Sequence, residues 1–538
     1  MNNRLKKTSV WMPLAIALSL VAGMWIGSAF FNGSGKWSSR SKLDAILELV
    51  ERSYVDEVDT DSLLEASFPG LLSRLDPHSV YISAKDLQNV NEELGGSFSG
   101  IGISFNLLND SINVLEVISG GPSEKAGLLA GDRIIAINDT VVAGQGWSDV
   151  KVRSSLRGEK GSTVKLTVRR HSSKTPLTFD VIRGDIPVTS IDAAYLVAPK
   201  VGFVKINKFS SSTYSEFLTS MMNLVADGAE KFIIDLRGNG GGFMEPAVLI
   251  ANEFLPAGSP IVSMRGKATP DSRPTMSDGS GSFLNNEVVI LIDETSASSS
   301  EILSGAIQDN DRGLVIGRRS FGKGLVQNQM ELPDSSAIRL TIARYYTPSG
   351  RCIQKTYAPG TDYDRDIVNR YEHGEFYNAD SIKLDKSLAF ETLHGRTVYG
   401  GGGIMPDIFV PNDTMGITSY YLNVLNTGLI QKYTFDYTDR NRARIKTAKN
   451  AVELMHMLPE DDLLLQDFVS YAQKAGIAPR WYYINISRDL IVNQLKAMIA
   501  RNALGVQGYF EVFNEVDPTV KSGVDALSNG KAAFPITK

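Results

Sequence analysis

The 538-residue chain has a single cysteine, Cys352, which excludes an internal disulfide. Histidine is nearly as scarce, with five residues, so few side chains could serve as a histidine base. A net charge of −5 argues against nucleic acid as a partner. Metal-ligand spacings and phosphate-binding loops are also missing, so neither a metal nor another cofactor is predicted. A hydrophobic share of 43% nevertheless supplies apolar side chains for several cores.

Charge is missing from one long stretch near the N-terminus, Val10 to Phe31. As a helix it would be about 33 Å long, enough to cross a bilayer. Arg4, Lys6 and Lys7 precede it, which favours a cytoplasmic N-terminus and export of the rest. We therefore predict that residues 1–36 are a membrane anchor, with a cleaved signal as the alternative. The remainder would lie in the periplasm of a bacterium, at the inner membrane.

A serine-rich run, Thr295 to Ile302, lies between two predicted elements. The apolar run Glu287 to Asp293 predicts a buried strand, and helical spacing of apolar residues begins after Ser298. Ser298 would thus stand at a helix N-terminus, whose free N–H groups favour an oxyanion. Ser298 with Glu301 also fits a capping box, and the local sequence alone favours that simpler role.

A lysine follows on a glycine-flanked loop, Lys323 in Phe321-Gly322-Lys323-Gly324. Serine is a weak nucleophile until a base takes its proton, and a lysine in a dry site can be that base. A second glycine-rich segment, Arg237 to Phe243, follows another predicted buried strand, Lys231 to Leu236. Its three successive glycines would let the backbone approach a ligand and aim N–H groups at it. A plain strand-to-helix turn is the alternative.

These motifs together resemble those of the C-terminal-processing peptidases, or tail-specific proteases, a serine peptidase family with a Ser-Lys catalytic pair. The resemblance implies that Ser298 is the nucleophile and that Lys323, 25 residues later, is its base. It also implies that Gln327 supports the lysine.

The same resemblance implies an oxyanion hole made by Gly240 or Gly241 together with the N–H of Ser299. The family commonly has alanine where this chain has Ser299. A backbone donor tolerates that difference, but the serines at 296, 299 and 300 make the nucleophile less unique.

Between Ser97 and Arg183 the pattern changes to short strands, and this stretch resembles a PDZ domain. Gly100-Ile101-Gly102-Ile103 matches the loop that binds a peptide carboxylate in that domain. Such a loop aims N–H groups at a C-terminus while the peptide pairs with a strand edge. The resemblance therefore implies that protein substrates bind through their C-termini. A small β-domain with a glycine turn is the alternative.

The resemblance covers roughly residues 40 to 410 and implies an α/β fold, a crotonase-like β-β-α peptidase core with an inserted PDZ domain. The predicted boundaries are 1–36 for the anchor or signal, 37–96 for a helical region, 97–184 for the PDZ domain, 185–410 for the core and 411–538 for a mostly helical extension. We also expect little structure in Thr356 to Arg396, a buried aromatic cluster at Trp481 to Tyr483 and a frayed tail after Pro518.

The sequence thus predicts an exported, membrane-anchored serine endopeptidase that recognises protein C-termini. The alternative is a non-catalytic PDZ adaptor on a peptidase-like scaffold, and the intact Ser298, Lys323 and Gln327 favour the enzyme. The predicted partners are protein substrates and a membrane, without nucleic acid. A homo-oligomer or an accessory regulator stays open.

Overall fold

The computed structural model describes residues 8–31, 39–108, 111–118, 120–170, 173–268, 273–357 and 362–530. The chain divides after Leu75 into two compact units. The described residues of the first unit form the helices Thr8–Phe31, Ser39–Ser53 and Thr60–Leu72.

Within the described ranges, no helix is both long and apolar enough for a membrane crossing. The predicted spanning anchor in residues 1–36 therefore finds no support. Residues 1–7 and 32–38 of the N-terminal stretch lie outside the described part.

The second unit opens with strand Val80–Ile82 and helix Ala84–Gly95, and a small β-domain follows. Its antiparallel strands run in the spatial order Ile103–Leu108, Ser111–Val117, Arg133–Ile137, Thr163–Arg169 and Leu177–Ile182. Strand Thr140–Val141 and the helices Pro122–Ala126 and Asp149–Leu156 complete the domain. Along one strand Val164, Leu166 and Val168 are buried, which is the alternation of a half-buried strand.

Two strands close this β-domain where the chain enters and leaves it. Ser97–Gly100 pairs antiparallel with Gly184–Pro187. The domain therefore leaves the chain and returns to it at one place, as an inserted domain must.

The central sheet has six strands in the order Ile191–Ala198, Val201–Ile206, Lys231–Asp235, Val288–Ile292, Leu314–Gly317 and Ile408–Phe409. The first pair is antiparallel and the others are parallel. One face packs on the helices Thr213–Ala226, Met244–Phe254 and Ser299–Asp309. Strand Val288–Ile292 is buried throughout, as expected for a parallel strand covered on both faces. The crotonase-like β-β-α arrangement itself stays a prediction.

A third sheet lies beside the central one. Its strands follow the order Val80–Ile82, Ala337–Tyr346, Pro260–Gly266 and Thr275–Met276, and Leu325–Glu331 also pairs with Ala337–Tyr346. The loop before Leu325–Glu331 carries Lys323.

The segment Thr356 to Arg396 has more structure than the sequence suggested. It contains helix Asp366–Glu372, the 3-10 turns Ala379–Ser381 and Lys386–Leu388, and strand Ala389–Glu391 paired with Thr397–Tyr399, while residues 358–361 lie outside the described part. Arg370 explains this order, because its buried guanidinium donates to the carbonyls of Arg319 and Ser320 at 2.6 and 3.0 Å.

The described part of the C-terminal extension is mostly helical. Its helices are Ser419–Asn426, Leu429–Arg440, Arg442–Ile445, Ala451–Met457, Asp461–Lys474, Trp481–Ile486, Arg488–Phe513 and Pro518–Ser528. Most of them share one core of their own.

Two expectations for the extension are wrong. The chain after Pro518 forms a helix rather than a frayed tail, because Asp517 caps it and Pro518 is pre-set for its first turn. Val520 and Leu527 of that helix are buried against the second face of the central sheet. The aromatic cluster is not buried either, since Trp481 is 46% and Tyr482 75% exposed.

Candidate active site

Ser298 lies at the junction between the buried strand Val288–Ile292 and the helix Ser299–Asp309, as the sequence predicts. Its backbone has φ 56° and ψ −114°, which is rare for a residue with a side chain. Such strain costs about 1–3 kcal/mol and is concentrated at functional sites. Gly241 packs against this turn so closely that a Cβ there would lie 2.7 Å from Cβ of Ser298. The site therefore requires glycine at that position.

The neighbouring serines are distinguished by burial and by hydrogen bonds. Ser296, Ser299 and Ser300 are at most 1% exposed, and each hydroxyl donates to a backbone carbonyl at 2.9–3.0 Å. Ser298 alone among the four is partly exposed, and it lines a cavity of about 740 Å³. Of the four serines, Ser298 is therefore the one whose hydroxyl is accessible from the cavity.

Glu301 connects the serine turn to the lysine loop. Its Oε2 accepts the backbone N–H of Ser298 at 2.8 Å and that of Lys323 at 2.9 Å. Its Oε1 accepts the N–H of Gly322 at 2.7 Å and the hydroxyl of Ser320. Burial raises the pKa of this carboxyl, whereas the four donors favour its charged form. The capping-box reading was correct in part, but the same carboxylate also holds the lysine loop.

Lys323 lines the same cavity as Ser298. Its Nζ donates to Oε1 of Gln327 at 3.3 Å, and Nε2 of Gln327 donates to the carbonyl of His78 at 2.6 Å. Within the described ranges, no hydrogen bond joins the amine of Lys323 to the hydroxyl of Ser298. Burial, and then the charge of Arg339, lower the pKa of Lys323 from its ordinary value of 10.5. Both effects favour the neutral amine that a base requires.

The segment Asp76 to Ser79 supports this lysine through Gln327. Asp76 accepts from the hydroxyls of Ser79 at 2.6 Å and Thr341 at 3.0 Å, which fixes the turn against the third sheet. The turn presents the carbonyl of His78 to Gln327. Burial and the charge of Lys323 lower the pKa of His78 to about 4, so its imidazole is neutral at ordinary pH.

The glycine turn lies beside Ser298, but its N–H groups are not equivalent. The N–H of Gly241 donates to Oδ1 of Asn239 at 2.8 Å. Within the described residues, the N–H groups of Gly240 and Ser299 have no such acceptor. Of the two glycines that the family resemblance implied, Gly240 is therefore the one with an available donor in this structure.

Arg237 anchors the start of the glycine turn. Its guanidinium binds Asp235 at 2.7 Å and, through its other edge, Asp517 at 2.9 and 3.1 Å. Burial opposes the charge of Asp235, but Arg237 and Lys205 together lower the pKa of that carboxyl to about 2. Asp517 comes from the C-terminal extension, about 280 residues later. No local motif could have assigned it to this site.

The predicted peptide loop lines a second cavity, of about 520 Å³. Gly100, Ile101, Gly102 and Ile103 all border it, and Gly102 has φ 75°, a backbone conformation suited to glycine. Ile101 is 3% exposed and packs chiefly into the core of the β-domain, whereas Ile103 is partly buried. The apolar walls include Phe98, Phe105 and Leu156, and the cavity extends to Gly240 and Gly241 of the glycine turn.

The chain matches known families over the segments that build both cavities. Residues 200–367 match peptidase family S41, residues 99–182 match the PDZ domain, and residues 420–505 match a family of unknown function. A carboxy-terminal-processing protease of Bartonella bacilliformis is 33% identical over 390 residues, which are 71% of this chain and 86% of that protein. The chain belongs to peptidase family S41. It is therefore a serine-type peptidase with a PDZ domain, and the predicted family resemblance is confirmed.

Other relatives of this S41 peptidase carry related names. The carboxy-terminal processing protease CtpB of Bacillus subtilis is 33% identical over 319 residues, 58% of this chain and 65% of that protein. The chain thus spans slightly less than two thirds of CtpB. Among solved structures, the photosystem II D1 C-terminal processing protease is 24% identical with a TM-score of 0.33, covering 68% of this chain and 91% of that one.

Proposed function

We propose that this S41 peptidase is an endopeptidase that recognises protein C-termini through its PDZ domain and cleaves with Ser298 and Lys323. One observation carries the proposal. Ser298 is the partly exposed serine of its run, it shares a cavity with Lys323, and one oxygen of the buried Glu301 holds the backbone of both. Relatives named as carboxy-terminal-processing proteases also support this proposal.

The proposed reaction begins with neutral Lys323. Its amine takes the proton of the Ser298 hydroxyl, and the oxygen attacks the scissile carbonyl. The protonated lysine then gives the proton to the leaving amine as the peptide bond breaks. Water, deprotonated by the neutral lysine, attacks the acyl carbon, the bond to Ser298 breaks, and the lysine returns the proton to the serine oxygen. The amine must turn from Gln327 towards Ser298 before the first step. Catalytic hydrogen bonds of this kind often form only once substrate is bound.

The proposed oxyanion hole uses the N–H groups of Ser299 and Gly240. Ser299 is the first residue of its helix, where backbone donors have no intrahelical acceptor. The N–H of Gly241 would contribute only if it left the side chain of Asn239. Donors aimed at the developing charge in a water-poor cavity are usually the largest single term in such catalysis.

Three variants test the dyad. Ser298→Ala and Lys323→Ala should each abolish peptide cleavage, and the double variant should be little worse, because the two groups act as one unit. Ser304→Ala is the matched control, since this buried serine lies on the same helix and its hydroxyl donates to Ser300. Folding is checked by circular dichroism. Near-wild-type turnover by Ser298→Ala would sink the assignment and point to another serine, whereas absence of cleavage by the wild type would favour the non-catalytic adaptor.

Recognition of a C-terminus has its own test. Wild-type enzyme should cleave a free-acid substrate faster than the same substrate with an amidated C-terminus, because amidation removes the charge. Gly102→Val should erase that difference, since φ 75° disfavours a β-branched residue and a Cβ would lie 3.0 Å from Ile186. Equal wild-type rates for both substrates would show that the enzyme does not read the C-terminus.

We also propose that the enzyme is exported, on the strength of the uncharged run Val10 to Phe31 and the basic residues before it. Fractionation of the producing bacterium should place the full-length protein outside the cytoplasm, and carbonate washing would separate a bound form from a released one. Recovery with the cytoplasmic fraction would refute export.

A further inference from the structure

Arg339 faces the same cavity as the proposed catalytic residues. It lies on strand Ala337–Tyr346, opposite Gln329 in register, and it lines the cavity of about 740 Å³ with Ser298 and Lys323. Its charge also lowers the pKa of Lys323, after the larger effect of burial.

The guanidinium of Arg339 is held in place by amides. One of its nitrogens donates to Oε1 of Gln329 at 2.9 Å, and Nε2 of Gln329 donates to Oδ1 of Asn91 at 2.9 Å. This chain of two hydrogen bonds orients the arginine without neutralising it. A guanidinium has five N–H donors, so most of its binding capacity remains.

Arg339 is half-buried and has no carboxylate partner in the described part of the chain, which distinguishes it from Arg237 and Arg351. Arg237 binds Asp235 and Asp517, and Arg351 binds Asp309 at 2.7 Å. Among the residues that the structure describes, no carboxylate lies within 4.0 Å of the guanidinium of Arg339. Among the described residues that line this cavity there is no aspartate or glutamate, and the basic residues Lys323 and Arg339 both border it. With Lys323 neutral, as the proposed mechanism requires, Arg339 supplies the positive charge on this wall and favours a negative group.

We propose that Arg339 binds a carboxylate of the substrate beside the scissile bond. The proposal rests on the peptidase function proposed above and adds a specificity. Arginine suits this role because its planar fork can hold a carboxylate with two parallel hydrogen bonds. The carboxylate could come from an aspartate or glutamate side chain near the cleaved bond, or from a free C-terminus a few residues beyond it.

Peptide pairs separate these two sources. The first series has an amidated C-terminus and places a single glutamate or glutamine at each of three positions on either side of the cleaved bond. Amidation removes the C-terminal charge that the predicted peptide loop at Gly102 would bind, so this loop does not affect the comparison. The second series lacks acidic side chains and compares a free with an amidated C-terminus at increasing distance from the cleaved bond.

The full-length enzyme is compared with Arg339→Gln and with Arg265→Gln as a control. Arg265 lies on the neighbouring strand, stacks on Tyr346 and does not line the cavity, so its loss removes a charge from the same sheet only. In the wild type, kcat/KM should favour the charged peptide about tenfold or more at one position, as a charge-assisted hydrogen bond would give. Arg339→Gln should bring that ratio to about one, and Arg265→Gln should leave it unchanged.

A second measurement distinguishes a binding role from a merely structural one. With the neutral peptide, the pH profile of Arg339→Gln should move to higher pH, because the charge that lowers the pKa of Lys323 is gone. A destabilised but otherwise normal site would lose activity without that shift.

Binding to Ser298→Ala keeps the proposal testable if no peptide is cleaved. Fluorescence anisotropy should then show tighter binding of the charged peptide, and this advantage should vanish in the Ser298→Ala, Arg339→Gln double variant. A charge preference that survives Arg339→Gln, or the absence of any preference in both series, would overturn the proposal. Cleavage by Ser298→Ala would instead overturn the proposed function.

Discussion

Replacing Glu301 with glutamine should disturb the serine and the lysine together. The carboxylate accepts hydrogen bonds from four donors, whereas the amide of glutamine can accept them only on its one oxygen. The best arrangement keeps the oxygen on the N–H groups of Ser298 and Lys323 and turns the NH₂ towards Ser320 and Gly322. The hydroxyl of Ser320 can rotate to accept, but the N–H of Gly322 then faces another donor.

The cost follows from this count. One buried N–H without an acceptor costs about 1–3 kcal/mol, and the surviving bonds lose their charge assistance. Glu301→Gln should therefore lower the free energy of unfolding by about 2–4 kcal/mol. A shift of the lysine loop by a fraction of an ångström should also reduce kcat, by up to about 100-fold.

The assay is peptide cleavage alongside urea denaturation, with Glu294→Gln as the control. Glu294 also precedes the serine helix and pairs with Arg318 at 2.8 Å, but it contacts neither Ser298 nor Lys323. Its loss should leave kcat nearly unchanged. If Glu301→Gln were indistinguishable from Glu294→Gln in kcat and in its unfolding midpoint, the carboxylate would not be what joins the two halves of the site.

Three further changes probe other parts of the structure. Lys323→Arg should reduce kcat by about 10⁴-fold or more, because a guanidinium stays protonated and cannot act as a base. Wild-type activity should rise with pH towards a pKa below 10.5, because the lysine becomes neutral, and a flat pH profile would contradict a lysine base. Asp517→Asn should leave Arg237 with Asp235 as its one carboxylate partner and lower the free energy of unfolding by about 1–3 kcal/mol. It should lower kcat more than it raises KM, and an unchanged kcat would refute a role of Asp517 in positioning the glycine turn. Leu527→Ala should cost about 2–5 kcal/mol in thermal or urea unfolding, because this side chain is fully buried, and a change below 1 kcal/mol would mean that the last helix packs loosely.

Local sequence predicted those elements whose boundaries are set by local chemistry. The strands Lys231–Asp235 and Val288–Ile292 lie within one residue of the predicted bounds, because apolar runs there are bounded by polar or turn-forming residues. Ser298 was placed at its turn for the same reason. Glycine at position 102 fits its place in the predicted peptide loop, because its φ of 75° is a conformation suited to glycine.

Features that depend on distant contacts could not be predicted in this way. The sequence around His78 shows a proline turn, and nothing in it indicates that the carbonyl of His78 meets Gln327 about 250 residues later. Pro518 was read as the end of structure, although proline is equally suited to the first turn of a helix. Whether a helix begins at Pro518 depends on whether its apolar side chains can be buried, and Leu527 is buried by packing against the central sheet.

The C-terminal extension is therefore part of the site's framework, although residues 420–505 match a family of unknown function. Its last helix covers the second face of the central sheet, where Val520 and Leu527 pack against Ile233 and Leu291. These two sheet residues lie on the strands that lead into the glycine turn and the serine turn. Asp517, the cap of that helix, also binds the arginine at the start of the glycine turn.

The extension also contacts the PDZ domain. Arg133 on a PDZ strand lies 3.7 Å from Asp436 and 3.9 Å from Asp439 of the extension, and Arg442 binds Asp439 at 3.3 Å. Exposed pairs of this kind contribute little energy singly, at about 0–1 kcal/mol. The buried contacts with the sheet are much stronger, so the extension belongs energetically to the core and only touches the PDZ domain. A change in the PDZ domain can therefore alter its contacts with the extension at small cost, while loss of the last helix must expose the sheet that carries Ser298.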